Sequence, residues 1–441
     1  MSRYIAAIDL GTTKIVTIVG EMTANGVKII GYCQAPYQGG IVRGDVANIQ
    51  KCLETLTPTI ASVNEQINTM PDSEPRQISE VYVGISGHHL RSIENTLHRN
   101  RSNSHSRQLI TLEEVETMIK EMFNTPVNDK EQILEVIPQS YNVDEQIGCS
   151  NIIGMDGESV DGKYKLFIGK TSSVNHTKSV LNRANLVLKK MILSPQASAE
   201  AVLTEDEKEL GVMMIDIGAG TSDVVVYYDN IIRHISIIPF AGNSITQDIR
   251  QTCGVSTKNA ELLKRQHGSC LSELAQENKH IAIKDKYGNV AQEIPYKLLA
   301  STIEARVCEI IATALHELKL SGYQDLVKRI VLTGGSSSLN HIQTLVKELS
   351  GMSVRISTPV NSNILNTSVN DIYKPGASTA VGLILLGGNE PDNGNAQEET
   401  QDKNIWGEVI TTPPATNSNK KKKFLRIFSD IFNTQTNDNE A

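Results

Sequence analysis

The amino-acid sequence predicts an α/β fold made of two similar lobes. Strand-like runs and helical stretches alternate over most of the chain, and one strand–turn–strand design occurs twice. The first copy reads YIAAIDLGTTKIVTIVG and the second reads GVMMIDIGAGTSDVVVYYD. Both contain Ile-Asp-x-Gly, with the acid at Asp9 and, 207 residues later, at Asp216. A repeat at that separation indicates duplication of a whole domain.

Each copy has the pattern of a three-stranded meander. In the first, two β-rich runs flank a glycine turn, and Asn25-Gly26 is a hairpin turn into a third run. In the second, Asp229-Asn230 has the same role. A further glycine turn, IVLTGGSSSL, spans 330–339. Apolar periodicity predicts helices over 46–67, 258–266, 297–319 and 339–350.

Residues 86–165 differ in sequence pattern from the two lobes and are predicted to form an inserted subdomain. We expect a helix near 111–123 and short strands within 131–153 and 163–171. The basic run 88–107 carries four Arg and one Glu, which leaves open a nucleic-acid or metal role. Because no aromatic residue interrupts that run, a solvated strand edge is favoured.

Composition excludes several classes of protein. A chain of 441 residues with 39% hydrophobic residues can bury a large core, and 42 basic against 50 acidic residues give a net charge of −8. The acidic excess argues against nucleic-acid binding. Six scattered cysteines lack metal-ligand spacing and are expected to be reduced thiols. With no signal-peptide pattern and no apolar stretch near 20 residues, we expect a protein that is neither exported nor transmembrane.

The two Asp-containing turns have the chemistry of a phosphate site. Glycines can direct successive backbone N–H groups into one concavity, and Lys14 adds a positive charge near terminal phosphates. Asp9 and Asp216 could hold a hydrated Mg²⁺, which takes one or two carboxylates. The alternative, two ordinary tight hairpins, explains the glycines but not the repeated acid.

The segments IDLGTTK, IDIGAGTSD and VLTGGSSSL resemble the phosphate 1, phosphate 2 and adenosine motifs of the actin-like ATPase superfamily. That resemblance implies an actin-like fold, a duplicated ribonuclease-H-like fold of two lobes with an inserted α+β subdomain in the first, closing on ATP and Mg²⁺. The segments VYVGISGHHLRS, IPFAGNSITQDI, AELLKRQHG and STAVGLILLG, in order along nearly the whole chain, resemble the FtsA family of bacterial cell-division proteins.

The resemblance also implies the residues that contact ATP. From the first turn these are Asp9, Gly11, Thr12, Thr13 and Lys14. From the second they are Asp216, Gly218, Gly220 and Thr221. Around the ribose, base and adenosine they are Gly242, Glu261, Lys264, Gly334 and Gly335.

One segment departs from the superfamily pattern. Chaperone-like relatives carry Glu before Pro where this chain has Ser194. Gln196 or Glu200 could orient the attacking water by hydrogen bonding instead. We therefore expect ATP binding with weak or slow hydrolysis.

The tail beyond the lobes has two parts. Residues 388–419 carry six acids and one base, are poor in apolar residues apart from Trp406 and its neighbours, and are predicted to be a flexible linker. The segment KKKKFLRIFSDIF that follows carries five bases and one acid. On a helix its apolar residues fall within about 160° of arc, which predicts an amphipathic helix lying on an anionic membrane surface. The membrane-facing residues are Lys420, Lys421, Lys422, Lys423, Phe424, Leu425, Ile427, Phe428, Ile431 and Phe432.

These observations divide the chain as follows: first lobe 1–85 and 166–195, insert 86–165, second lobe 196–228 and 299–387, its outer subdomain 229–298, linker 388–419 and membrane helix 420–433.

The resemblance implies a membrane-tethered scaffold that polymerises with itself and binds ATP. It implies that the outer subdomain receives the C-terminal tail of the tubulin-like protein FtsZ, and that the insert contacts later division proteins and neighbouring copies. The expected location is the cytoplasmic face of the bacterial inner membrane at the division septum. Two alternatives stay open: a small-molecule kinase of the same superfamily, and a pilus-assembly relative that would lack the membrane helix.

Overall fold

The computed structural model describes residues 3–37, 39–69, 76–101, 109–284, 287, 290–359, 363–365, 367 and 369–389. The predicted membrane helix, Trp406 and all but the first two residues of the predicted linker lie outside this part of the chain.

The strands, numbered along the chain, are β1 (Arg3–Leu10), β2 (Lys14–Thr23), β3 (Gly26–Pro36), β4 (Ile41–Val42), β5 (Asp45–Val46), β6 (Glu80–Ile85), β7 (Arg91–Asn100), β8 (Glu131–Val143), β9 (Gln146–Cys149), β10 (Ser159–Lys170), β11 (Val187–Leu193), β12 (Val212–Ile217), β13 (Ser222–Tyr228), β14 (Ile231–Ile238), β15 (His280–Lys284), β16 (Val290–Pro295), β17 (Arg329–Thr333) and β18 (Ser353–Ile356). The helices are α1 (Ile49–Asn68), α2 (Leu112–Met122), α3 (Thr171–Arg183), α4 (Ser194–Val202), α5 (Glu205–Leu210), α6 (Gly242–Cys253), α7 (Thr257–His267), α8 (Tyr296–Leu320), α9 (Ile342–Ser350) and α10 (Ser378–Asn389). Short 3-10 turns lie at Gly335–Ser338, Asn370–Tyr373 and Pro375–Ala377.

Two five-stranded sheets have the same topology, which confirms the duplication. Their orders are β3-β2-β1-β6-β11 and β14-β13-β12-β17-β18. In each, the first three strands form an antiparallel meander and the last two add in parallel. The central strands are buried on both faces, and this explains why they read as continuous apolar runs rather than alternating ones.

The helix predictions from periodicity agree with the structure to within three residues at either end. Helix α1 shows why, because it buries Cys52, Leu56, Val63 and Ile67 along one face against the first sheet. Its start is fixed by Asn48, whose side chain accepts a hydrogen bond from the backbone N–H of Lys51.

The insert is a four-stranded antiparallel sheet, β7-β10-β8-β9, covered by α2. The helix predicted near 111–123 is present, and it packs Val115, Met118 and Met122 into a small core of its own. The structure describes residues 88–101 of the basic run, and most of them form the edge strand β7. The arginines of this part pair with glutamates of the same subdomain, in agreement with the favoured interpretation as a strand edge. Strand β10 continues to Lys170, beyond the predicted boundary at 165.

Helices α4 and α10 lie between the two sheets and join them into one core. Gly382 of α10 lies so close to α4 that a Cβ there would be 1.7 Å from the carbonyl oxygen of Ala197. Sequence alone placed residues 299–387 in the second lobe, whereas α10 packs on β1, β2 and β6 of the first. Among the described residues, no helix has both the length and the apolar character needed to cross a bilayer.

Candidate nucleotide site

The two Asp-containing turns have the same local structure. In the first, the N–H of Gly11 donates to the carbonyl of Lys14 at 3.0 Å, and in the second the N–H of Gly218 donates to the carbonyl of Thr221 at 3.0 Å. The strand residues that close each turn are also spaced alike, Leu10 opposite Ile15 and Ile217 opposite Ser222. Asp9 and Asp216 therefore occupy equivalent positions, one residue before each turn begins.

The two turns face each other across the cleft between the lobes. Gly220 lies against Thr12, and a Cβ at Gly220 would be 2.4 Å from the Thr12 hydroxyl oxygen. Thr13 is exposed beside this contact. Lys14 reaches towards a third segment and donates its ammonium to the carbonyl oxygen of Gly376. The turn residues predicted from sequence are thus brought together from both lobes.

The carboxylates in the cleft resist ionisation because they are buried near one another. Burial and the neighbouring Asp216 raise the pKa of Asp9 to about 6, although Lys14 acts in the opposite direction. Burial also raises the pKa of Asp216, whose Oδ2 accepts a 2.7 Å hydrogen bond from Ser198. Burial lowers the pKa of the Lys14 ammonium. A bound cation would offset the cost of ionising these buried carboxylates.

A third carboxylate, Asp223, was missed by the sequence analysis. It lies on β13 directly opposite Asp216 in the strand ladder, and burial together with Asp216 raises its pKa to about 7. The Ser86 hydroxyl of the other lobe donates to its Oδ2 at 2.9 Å. Its Oδ1 is buried and has no hydrogen-bond partner among the residues that the structure describes. The sequence signal was its position seven residues after Asp216, because a hairpin of this length places those two residues opposite each other on neighbouring strands.

The third glycine turn closes against the second. Gly334 has a φ of 86°, and a Cβ on it would be 2.2 Å from Asp216 Oδ1. Its N–H donates to the carbonyl of Pro375 at 3.2 Å. Gly335 has open space at its Cβ position. Ser336 donates its hydroxyl to the carbonyl of Gly218 at 2.8 Å, which joins the two turns.

The residues predicted near the ribose and base form a connected group on α6 and α7. The Lys264 ammonium donates to the carbonyl of Gly242 at 3.0 Å and pairs with Glu261 at 2.7 Å. The Thr246 hydroxyl donates to the same glutamate at 2.6 Å. The Ser336 hydroxyl also lies close to Gly242, since a Cβ on Gly242 would be 2.4 Å from the Ser336 hydroxyl oxygen. This group is therefore continuous with the second and third turns.

The two residues considered for water positioning differ in their surroundings. Gln196 lies in the first turn of α4, and its buried Oε1 has no hydrogen-bond partner in the described part of the chain. Glu200, one turn further on, forms a 2.9 Å ion pair with the buried ammonium of Lys208. Of the two, Gln196 has the oxygen available to bind a water.

The residues in the cleft suit a magnesium ion that keeps most of its waters better than a metal that takes three or more protein ligands. The part of the chain that the structure describes contains no group of three or more His, Cys, Asp or Glu side chains placed to hold a metal. Asp9 and Asp216 are two buried carboxylates near one another, and Mg²⁺ takes one or two carboxylates while it keeps several waters. The donor set therefore fits a hydrated Mg²⁺, which would neutralise charge on bound phosphates.

Duplicated five-stranded sheets, paired Asp-containing turns and a third glycine turn define a two-lobed protein of the actin-like class. Among solved structures, the PilM–PilN type IV pilus biogenesis complex aligns with 88% of this chain and 99% of its own, with a TM-score of 0.61 and 16% identity. At that identity the likeness concerns the fold alone.

Comparison with protein families and curated proteins gives the family. The model of cell division protein FtsA matches residues 213–382, and the SHS2 domain inserted in FtsA matches 87–167. FtsA of Neisseria meningitidis serogroup B is 33% identical over 90% of this chain and 94% of its own length. FtsA of Escherichia coli K12 is 31% identical over 96% and 98%. The chain belongs to the FtsA family of cell division proteins.

Proposed function

We propose that this cell division protein binds ATP with Mg²⁺ in the cleft between its lobes. The observation that carries the proposal is the pair of equivalent turns, each with a 3.0 Å N–H to carbonyl bond and a preceding Asp, facing each other beside Lys14. Backbone N–H groups and one ammonium suit the phosphates, and the carboxylates suit the metal. Gly242, Glu261 and Lys264 are proposed to lie at the ribose and base.

The proposed hydrolysis is slow. A fast ATPase needs a group that orients the attacking water, and the position before Pro195 holds Ser194. Gln196 and Asp223 each present a buried oxygen that no described residue hydrogen-bonds, and either could hold a water. A site that hydrolyses ATP slowly suits a protein whose conformation depends on whether ATP is bound, rather than one driven by rapid hydrolysis.

Calorimetric titration of the full chain tests nucleotide binding. We expect saturable heat with MgATP and much weaker binding when EDTA removes the metal. Absence of binding to MgATP would refute the proposal. Turnover of many ATP molecules per second would refute slow hydrolysis while leaving binding intact.

We further propose that residues 420–433 tether the protein to an anionic membrane. The support is the sequence pattern: one apolar face, and four lysines that each add about 1 kcal/mol at an anionic surface. One short helix binds weakly, so self-association into filaments would strengthen membrane attachment by multivalency. In this proposal the protein links FtsZ, received through the outer subdomain 229–298, to the inner membrane at the septum, and recruits later division proteins.

Sedimentation with vesicles containing phosphatidylglycerol tests the tether. The full chain should sediment with these vesicles, and Phe424→Asp with Phe428→Asp should abolish sedimentation. Ser429→Asp, on the polar face, is the matched control and should bind almost normally. FtsZ should sediment only when the full chain is present, and FtsZ without its C-terminal tail should stay in solution. Equal binding by all variants would refute the tether.

The two alternatives make different predictions. A small-molecule kinase would consume ATP in the presence of an acceptor, so a screen of sugars and other hydroxyl compounds should show acceptor-dependent turnover. A pilus-assembly protein would bind vesicles equally well without residues 420–441. We expect neither result.

A further inference from the structure

One strand of the inserted subdomain, β8, contacts both lobes. In β8, Glu135 Oε2 lies 3.9 Å from the Lys190 ammonium on β11, the edge strand of the first sheet. Leu134 and Ile137 pack on the core between the lobes. Four residues after Glu135, Gln139 contacts β14, the edge strand of the second sheet. One strand therefore follows the edges of both sheets.

The contact with the second lobe lies at a β-bulge. Val226 pairs with His234 and Tyr227 pairs with Ile232, so Arg233 is the extra residue of β14. The carbonyl of Ile232 accepts a 3.1 Å hydrogen bond from the Gln139 amide. A bulge interrupts the regular ladder and leaves backbone groups open to other partners, and here the insert supplies them.

Two further hydrogen bonds join the same residues. The Lys165 ammonium, from β10 of the insert, donates to the carbonyl of Arg233 at 2.6 Å. In return, the Arg233 guanidinium donates to the carbonyl of Gln139 at 2.9 Å. Lys165 and Arg233 are 7% and 9% exposed. Because separating buried charged groups from their partners is costly, this contact resists opening.

The root of the insert lies at the nucleotide cleft. Ser86, which donates to Asp223 of the second lobe, is followed at once by Gly87, where the chain leaves the first sheet. Gly87 has a φ of 151°, and a Cβ on it would be 2.6 Å from His89 Nδ1, so this passage favours glycine. The insert is thus attached to the second lobe at the bulge and, next to its root, at the cleft.

We propose that the insert is a strap between the lobes, held by Gln139 and Lys165 on the bulge of β14, and that lobe closure around nucleotide moves it. The coupling rests on the proposed ATP binding; the attachment does not. A strap of this kind makes the surface of the insert differ between nucleotide states. By thermodynamic linkage, removal of the contacts of Gln139 and Lys165 with β14 must change the affinity for nucleotide as well.

Hydrogen–deuterium exchange of the full chain tests the strap. The variant Gln139→Ala with Lys165→Met removes both donors, and Gln139→Ala alone serves if the double variant folds poorly. Gln146→Ala with Lys163→Met, two exposed residues of the same subdomain, is the control. Without nucleotide, residues 231–238 should exchange about tenfold faster in the double variant than in the control. Equal exchange would overturn the proposal.

Addition of AMPPNP with Mg²⁺ tests the coupling. In the wild type and the control, protection of 9–14 and 216–221 should be accompanied by changed exchange in 131–143, and the double variant should lose that change. Protection of the two turns without any change in 131–143 of the wild type would overturn the strap as a coupling device. If the turns gain no protection in any protein, the proposal of ATP binding fails, and the nucleotide-free comparison still decides the attachment.

Discussion

Gly220 in the second lobe packs directly on Thr12 in the first, with no room for a methyl group between them. The change Gly220→Ala should push the two turns apart and weaken MgATP binding by roughly tenfold or more, because phosphate contacts depend on both turns. Calorimetric titration measures the effect. Gly322→Ala is a control far from the cleft: its φ of 77° makes that variant less stable, but its affinity should be unchanged. Equal affinities for Gly220→Ala and wild type would show that the turns do not close on nucleotide together.

Lys14 supplies a positive charge from the first turn. Lys14→Ala should lower the affinity for MgATP by about 2 to 3 kcal/mol, or roughly 30- to 150-fold, since a charged hydrogen bond to phosphate is lost. Lys28→Ala, an exposed lysine of β3, is the matched control and should bind as the wild type does. A small loss, similar in both variants, would remove Lys14 from the phosphate site.

Asp223 gives the protein a pH-dependent stability. Its pKa is about 7 in the folded state and 3.8 in the unfolded state, so between these values the folded state holds a proton that the unfolded state releases. Stability therefore falls as the pH rises from about 4 to about 7. Asp223→Asn removes this effect and should stabilise the nucleotide-free protein at pH 8, by at most about 4 kcal/mol, with little change at pH 4.

Chemical denaturation of both proteins at pH 4 and pH 8 measures the difference. Asp325→Asn, at an exposed position between α8 and β17, is the matched control. If Asp223→Asn were no more stable than wild type at pH 8, burial of a charged carboxylate at this position would be compensated by another group.

Gly382 permits the close approach of α10 to α4. Gly382→Ala places a methyl group within 1.7 Å of the Ala197 carbonyl oxygen, so the helices must separate, at a cost of about 3 kcal/mol or more. Gly388→Ala on the same helix meets the flexible Met22 side chain and should cost much less. Urea unfolding of the two variants compares them directly, and equal stabilities would contradict close packing of these helices.

Local sequence patterns predicted the features that neighbouring residues determine. The turns at Asp9 and Asp216 could be predicted because strand, acid and glycine follow one another in the chain, and α1 could be predicted from its apolar period. Asp223 was not singled out, since its significance arises from the strand ladder that sets it opposite Asp216, and its spacing from Asp216 was the one local signal of that pairing. The pairing of Gln139 with Arg233 depends on a bulge and on two distant segments meeting, which no local pattern encodes.

The packing of α10 on the first lobe has a consequence for biosynthesis. A ribosome releases β1, β2 and β6 long before residues 378–389, the segment that covers them and packs on α4. Until then, one apolar surface of the nascent first lobe lacks its final partner. The first sheet is therefore expected to reach its native packing only after synthesis has passed residue 389.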